Sequence, residues 1–276
     1  MEQMLQILQK HSSTFHPVVS FDPLKDKLLL LDFTENNKEL FPAILDNTQQ
    51  FTNYINEKLR STQAKYGIGG YNEYRELYRR SRVFDQAHPD LPKGKALNTQ
   101  PSPRENLGNN SDSQISRASD WVTPPLGELE GAEPRRLHLG IDIWGKPNTA
   151  LMSPLDGIVH SFAFNNNFGD YGATLILSHY LDGCSFHSLY GHLSLNSIKN
   201  LREGQNVKKG DVIGEFGIPM ENGQWPPHLH FQIITDMGEW RGDYPGVCKF
   251  SEREMYLNNC PDPDLILGMM KYAAKI

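Results

Sequence analysis

The sequence predicts a mainly β protein, an antiparallel sandwich or barrel-like domain preceded by a smaller mixed, helix-rich N-terminal region. Three observations point there. Short apolar runs near 150–152, 157–164, 172–179, 185–191, 212–216 and 229–235 follow one another with no helical pattern between them. Tight-turn residues separate the runs, at Asp156-Gly157, Asp182-Gly183, Lys209-Gly210-Asp211 and Asn222-Gly223. Within the first 87 residues, the stretch through Phe51, Tyr54, Ile55 and Leu59 instead spaces apolar positions by three and four.

Taken in order, residues 1–87 open with a short amphipathic helix near 3–11. The run Leu28-Leu29-Leu30-Leu31 reads as a buried strand or core segment. Asn47 starts a helical stretch through Phe51, Tyr54, Ile55 and Leu59, broken by Gly67, Gly69 and Gly70. A helix is expected to resume over Tyr71–Arg80, its tyrosines serving packing. No independent chemistry is visible in this region. Residues 88–120, with His88-Pro89 and Asn106-Leu107-Gly108-Asn109, hold too little apolar surface to offset chain entropy, which predicts a flexible linker or surface lid. Residues 121–276 form the β domain. Its extension from 237 includes a short helix near Glu252–Leu257 and a C-terminal helix from Asp264.

Composition narrows the function. The chain has 276 residues and a formal charge of −6, spread along its length. No Lys/Arg cluster suggests a nucleic-acid partner, and no apolar run is long enough to span a membrane. The N-terminus lacks the basic start and long apolar stretch of a signal peptide. Cys184, Cys248 and Cys260 cannot all pair within one chain and read as free thiols. A cytoplasmic location is expected.

The chemistry lies in the second half. His138-Leu139-Gly140-Ile141-Asp142, Tyr190-Gly191-His192 and His228-Leu229-His230 bring together residue types that ligate metals. Two histidines and a carboxylate leave a tetrahedral zinc one open position, as a catalytic site needs, and two further histidines are free for proton transfer. Strand alternation places His228 and His230 on one face, with Leu229 and Phe231 towards a core. In a straight strand His138 and Asp142 would stand roughly 13 Å apart, too far to share an ion. The chain must therefore bend between them, and Gly140 is the natural point. His11, His16, His88, His160, His179 and His187 read as solvated or structural. Trp225 and Trp240 are candidates for a substrate groove or for packing.

At these residues the sequence resembles the lysostaphin-type zinc metallopeptidases, which cut peptide crosslinks in bacterial cell walls. The resemblance runs from about His138 to Gln232 and includes Pro154-Leu155-Asp156-Gly157 and Val207-Lys208-Lys209-Gly210-Asp211. It implies an antiparallel β-sandwich and one zinc per chain, held by His138, Asp142 and His230. His192 and His228 would flank the bound water, and either could be the general base. Three departures bear on substrate: Trp225-Pro226-Pro227 makes a bulkier wall before the His-x-His strand, Asn148 replaces a common glycine, and Gln232 replaces a common glutamate. The flanks, including Tyr71–Arg75, Gly242–Gly246 and Cys260–Pro263, resemble the peptidase-like segment of fusion proteins that join a kinase-like domain to an aminotransferase.

These features imply a zinc metallopeptidase or amide hydrolase acting on a short peptide or amide. The alternatives are a non-catalytic metallopeptidase-like binding or regulatory module, and a hydrolase of a non-peptide substrate. Retention of all five residues argues against the binding module.

Overall fold

A computed structural model describes residues 2–85 and 133–275. The segment expected to be a linker or lid lies outside the described residues. The first helix, α1 (Glu2–His11), turns Met4, Ile7 and Leu8 inward. β1 (Leu28–Leu30) follows, then α2 (Pro42–Leu45) and α3 (Thr48–Thr62). Asn47 caps α3, its side chain accepting from the Gln50 amide, and Gln63 closes the helix in the left-handed conformation. Next come β2 (Tyr66–Gly69), β3 (Glu73–Tyr74) and short 3-10 turns at Glu76–Arg80 and Arg82–Phe84.

The second part begins with β4 (Leu137–His138), β5 (Ile141–Trp144) and β6 (Ala150–Met152). Asn148, with φ +59°, turns the chain between β5 and β6, a conformation asparagine adopts more readily than most side chains. The long strands β7 (Gly157–Asn165), β8 (Gly172–Leu181) and β9 (Cys184–Leu193) form a meander. After α4 (Leu195–Ile198) come β10 (Asn206–Val207), β11 (Val212–Glu215), β12 (His228–Ile234) and β13 (Val247–Cys248). α5 (Arg253–Leu257), α6 (Asp264–Leu267) and β14 (Ala273–Ala274) end the chain.

Nine strands make one sheet in the order β10-β7-β8-β9-β12-β5-β2-β1-β14. It is antiparallel except where β1 meets β2 and β14. Its two ends do not meet, so it is an open sheet and not a closed barrel. Alternation along β12 decides what each face carries. Leu229, Phe231 and Ile233 join Ile141, Ile143, Leu175 and Leu177 in the larger core. The β6–β11 ribbon, α1 and α6 cover that side through Leu151, Ile213, Leu8 and Ile266. His228, His230, Gln232 and Ile234 point the other way. There the sheet is covered by an aromatic cluster of Phe33, Phe51, Trp144 and Trp225, and by a second group that includes Tyr171, Ile176, Leu189 and Tyr244.

Two local expectations fail. Tyr71–Arg80 is not a continuous helix: Glu73 and Tyr74 pair with His138 and Leu137 of β4, and only the residues after Arg75 coil, as a 3-10 turn. Strand pairing over distance outweighs the local helical spacing. Likewise Gly67 and Gly69 do not interrupt a helix but lie within β2, opposite Trp144 and Asp142. The C-terminal helix from Asp264 is a single turn, after which Ala273 and Ala274 pair with β1.

Candidate metal centre and active site

The bend required between His138 and Asp142 is a complete break in the strand. His138 ends β4 in a three-stranded sheet with β3 and β13, whereas Asp142 lies on β5 in the main sheet. Leu139 and Gly140 make the crossing. A Cβ on Gly140 would lie 2.5 Å from His230 Cε1 and 2.8 Å from the Phe231 carbonyl oxygen, so only glycine lets β12 come this close. Because one of those neighbours is backbone, Gly140→Ala is expected to cost about 1–3 kcal/mol by overpacking. Urea unfolding of the metal-free chain would show this, and wild-type stability would disprove the close approach.

Across the β5–β12 pair His230 stands opposite Asp142, and His228 opposite Trp144. Three ligand atoms converge as a result. His138 Nε2 is 2.9 Å from His230 Nδ1 and 3.2 Å from Asp142 Oδ1, and His230 Nδ1 is 3.1 Å from the same carboxylate oxygen. Around a tetrahedral zinc with 2.0–2.2 Å bonds, ligand atoms stand about 3.3 Å apart, close to this triangle.

The outer atoms of these rings determine what the inner ones carry. His138 Nδ1 donates to the Gly70 carbonyl at 3.1 Å, which leaves Nε2 bare. Gln232 donates its amide to the Pro245 carbonyl, so its Oε1 faces His230 Nε2 at 2.9 Å and accepts from it. His230 Nδ1 is then bare as well. Two imidazole lone pairs and a carboxylate oxygen thus face one another with no proton among them, a repulsive set that a cation resolves. Burial, and then the nearby Arg75 charge, push His138 down to about 3, which keeps it neutral. Burial alone would raise the Asp142 carboxyl, but with His138 neutral the Arg75 guanidinium beside it holds it well below the usual carboxylate range. The donor set fits zinc.

His192 and His228 form a second pair, stacked with ring centres 4.0 Å apart. Trp144 stacks on the far side of His228 at 3.9 Å. His228 Nδ1 donates to the Pro226 carbonyl and His192 Nδ1 to the Asn222 carbonyl, which leaves Nε2 bare on each neutral ring. Burial pushes His228 down to about 4 and His192 well below its usual value, the latter also through His228 and His230. His192 has φ +64°, rare for a non-glycine residue and costing on the order of 1–3 kcal/mol. Its amide donates to Tyr171 and its carbonyl accepts from Gly217, which together hold that conformation.

A cavity of about 350 Å³ opens onto both groups, lined by Asp142, His192, His228 and His230. Trp225 and Trp240 both face it. Trp225 is also packed, 3% exposed and in contact with Phe51 and Tyr78, so groove and packing roles coincide in that residue. Arg135, Asp170 and Asp243 add charges of both signs to the cavity wall. Burial, and then the neighbouring Asp170, push Asp243 up to about 7. His179 lies apart, bonded to the Asp156 carbonyl and Ser188. His160 and His187 pack against each other elsewhere, His11 pairs with Asp182, and His16 bonds the Pro17 carbonyl. His88 is outside the described residues.

Sequence reasoning missed Arg75, Tyr171 and the Gly70 carbonyl. Arg75 is fully buried and donates to Asp142 Oδ2 at 2.5 Å, so the first 87 residues do contribute chemistry to this centre. The Tyr171 hydroxyl stands 3.3 Å from His230 Nε2. No local pattern marks either residue. For Gln232 the cue was its place two residues after His230 on an alternating strand, which puts both on one face.

Comparison with known proteins bears on this geometry. Residues 136–241 match Peptidase family M23. An L-Ala–D-Glu endopeptidase of Bacillus subtilis is 32% identical over 127 residues, which cover 43% of this chain and 37% of that protein. An uncharacterized metalloprotease of Haemophilus influenzae is 34% identical over 101 residues, 36% of this chain and 18% of its own length. The matched part thus spans well under half of either relative. A zinc-containing peptidase from Vibrio cholerae overlays with a TM-score of 0.29 and 27% identity, over 36% of this chain and 27% of that one.

Proposed function

From the premise that residues 136–241 are a Peptidase family M23 domain, we propose that this protein is a zinc-dependent amide hydrolase that cleaves short peptides. One observation carries the reading: three bare ligand atoms, His138 Nε2, Asp142 Oδ1 and His230 Nδ1, converge within 3.2 Å. They would hold one zinc per chain. When bound, zinc supplies Lewis acidity that lowers the pKa of a water from about 15.7 towards 7.

The chain's own groups supply the rest. His192 and His228 present bare Nε2 atoms to the cavity side of the centre. A neutral imidazole there takes up a proton at Nε2 and returns it to the leaving amine. The second imidazole stabilises oxyanion charge only when it carries a proton at Nε2, because its Nδ1 proton is committed to a backbone carbonyl. The Trp225-Pro226-Pro227 wall is held in place where Thr48 Oγ1 donates to the Gln224 carbonyl and the Trp225 amide to Asn222 Oδ1. It shields the centre from water.

The cavity favours a short substrate. All five site residues are at most 6% exposed, which suits a chain end better than a crosslinked mesh. Arg135, Asp170 and Asp243 offer charges that match both termini of a small peptide. The three cysteines are unpaired, which fits a reducing compartment, and no helix among the described residues is long and apolar enough to cross a membrane. On this reading the protein works in the cytoplasm.

Purified chain is expected to carry one zinc by elemental analysis. It should cleave a panel of soluble di- to pentapeptides faster than it releases fragments from purified peptidoglycan. Rapid wall lysis with no soluble turnover would overturn the substrate assignment. Absence of zinc and of any amide cleavage would overturn the whole reading.

A further inference from the structure

We propose that Arg75 and the Gly70 carbonyl, both outside the family-matched segment, are the positioning groups of the metal centre, so that the N-terminal region is an integral part of it. The inference rests on the zinc reading above and adds to it a set of residues that precede the domain.

The geometry is specific. Arg75 spreads its guanidinium over three acceptors: Nη1 to Asp142 Oδ2 at 2.5 Å, Nε to Glu73 Oε2 at 2.6 Å, and Nη2 to the Gly70 carbonyl at 3.1 Å. That carbonyl also accepts from His138 Nδ1. The segment from Gly70, in the β2–β3 turn, to Arg75, just after β3, therefore holds two of the three candidate ligands. Arg75 occupies Oδ2 and leaves Oδ1 to face the histidines, while Gly70 selects the His138 tautomer with a bare Nε2. A planar fork suits this task, since its donors are fixed relative to one another.

The surroundings are built around it. Arg75 is fully buried over the Phe33 ring. A Cβ on Gly69 would come within 2.5 Å of Arg75 Nη2, so glycine opposite Asp142 leaves the guanidinium its path. The β2–β5 and β3–β4 pairings clamp the turn from both sides, since Gly69 pairs with Asp142 and Glu73 with His138.

The test uses the full chain and two readouts, zinc affinity by competition with a chromophoric chelator and the visible spectrum of the cobalt-substituted protein. Replacing Arg75→Gln together with Glu73→Gln removes the fork without stranding the Glu73 carboxylate, so that Asp142 alone loses its cationic partner. Zinc binding should weaken by about 10–100-fold, the usual worth of such partners, and the cobalt bands should change as Asp142 reorients. Arg79→Ala, an exposed change on the following 3-10 turn, should alter neither readout. Native affinity with a native cobalt spectrum in the folded double variant would overturn the proposal. Should that variant not fold, Arg75→Lys decides, because one ammonium cannot serve all three acceptors. Weakened zinc binding is expected there, and unchanged affinity would overturn the inference. A wild-type chain that takes up neither zinc nor cobalt would instead overturn the parent reading, and this one with it.

Discussion

His230→Ala is expected to leave the chain folded, to empty it of zinc and to reduce amide hydrolysis to the background rate. His230 sits at the middle of the β12 ladder, where Asp142 and Gly191 face it on either side. Its ring closes the ligand triangle, and its outer nitrogen is held by Gln232. The substitution removes one of three ligands, and two are too few to retain zinc against a competing chelator. His138→Ala and Asp142→Ala should behave alike, with Asp142→Ala also less stable because it strands the buried Arg75 charge. Elemental analysis after dialysis and a peptide-cleavage assay check all three. Full zinc occupancy in His230→Ala and Asp142→Ala would refute the ligand set. Chelation of the wild-type protein should reproduce the loss, and added zinc should restore activity.

The second large effect separates binding from chemistry. His192→Ala and His228→Ala should keep one zinc per chain yet lose about 10²–10⁴ in turnover, the usual contribution of a positioned acid–base group. Neither ring belongs to the converging triangle, and each has one nitrogen committed to a backbone carbonyl. The two should not be equivalent in stability. His192 adopts a left-handed backbone, so His192→Gly relieves strain while removing the side chain and should be more stable than His192→Ala. Zinc loss in either variant would move that histidine into the coordination shell. Full turnover in both would remove them from the mechanism.

Much of the β layout was legible because it depends on period and punctuation. The runs at 157–164, 172–179 and 185–191 lie within β7, β8 and β9, and Asp182-Gly183 turns the chain between β8 and β9. Alternation was enough to put His228 and His230 on one face. It could not show that they part company there, His230 joining His138 and Asp142 while His228 stacks on His192 and Trp144. The distance between His138 and Asp142 in an extended chain demanded a break at Gly140, and the strand breaks there. It also divides between two sheets, which spacing alone does not indicate. Local helical spacing misled at Tyr71–Arg80, where the partner that turns Glu73 and Tyr74 into a strand lies more than sixty residues away.

What the sequence by itself determined is the chemistry available to this protein. It shows which side chains can ligate or move a proton, and which face of each strand carries them, because both follow from residue type and a two-residue period. Only the tertiary structure decided how that chemistry is held. Arg75 reaches Asp142 across 67 positions, Gly70 orients His138, and the backbone of His192 is bent into a conformation that its neighbours impose. Those contacts follow from sheet order and close backbone approach. Such contacts join residues far apart along the chain, and no local window of sequence contains both partners.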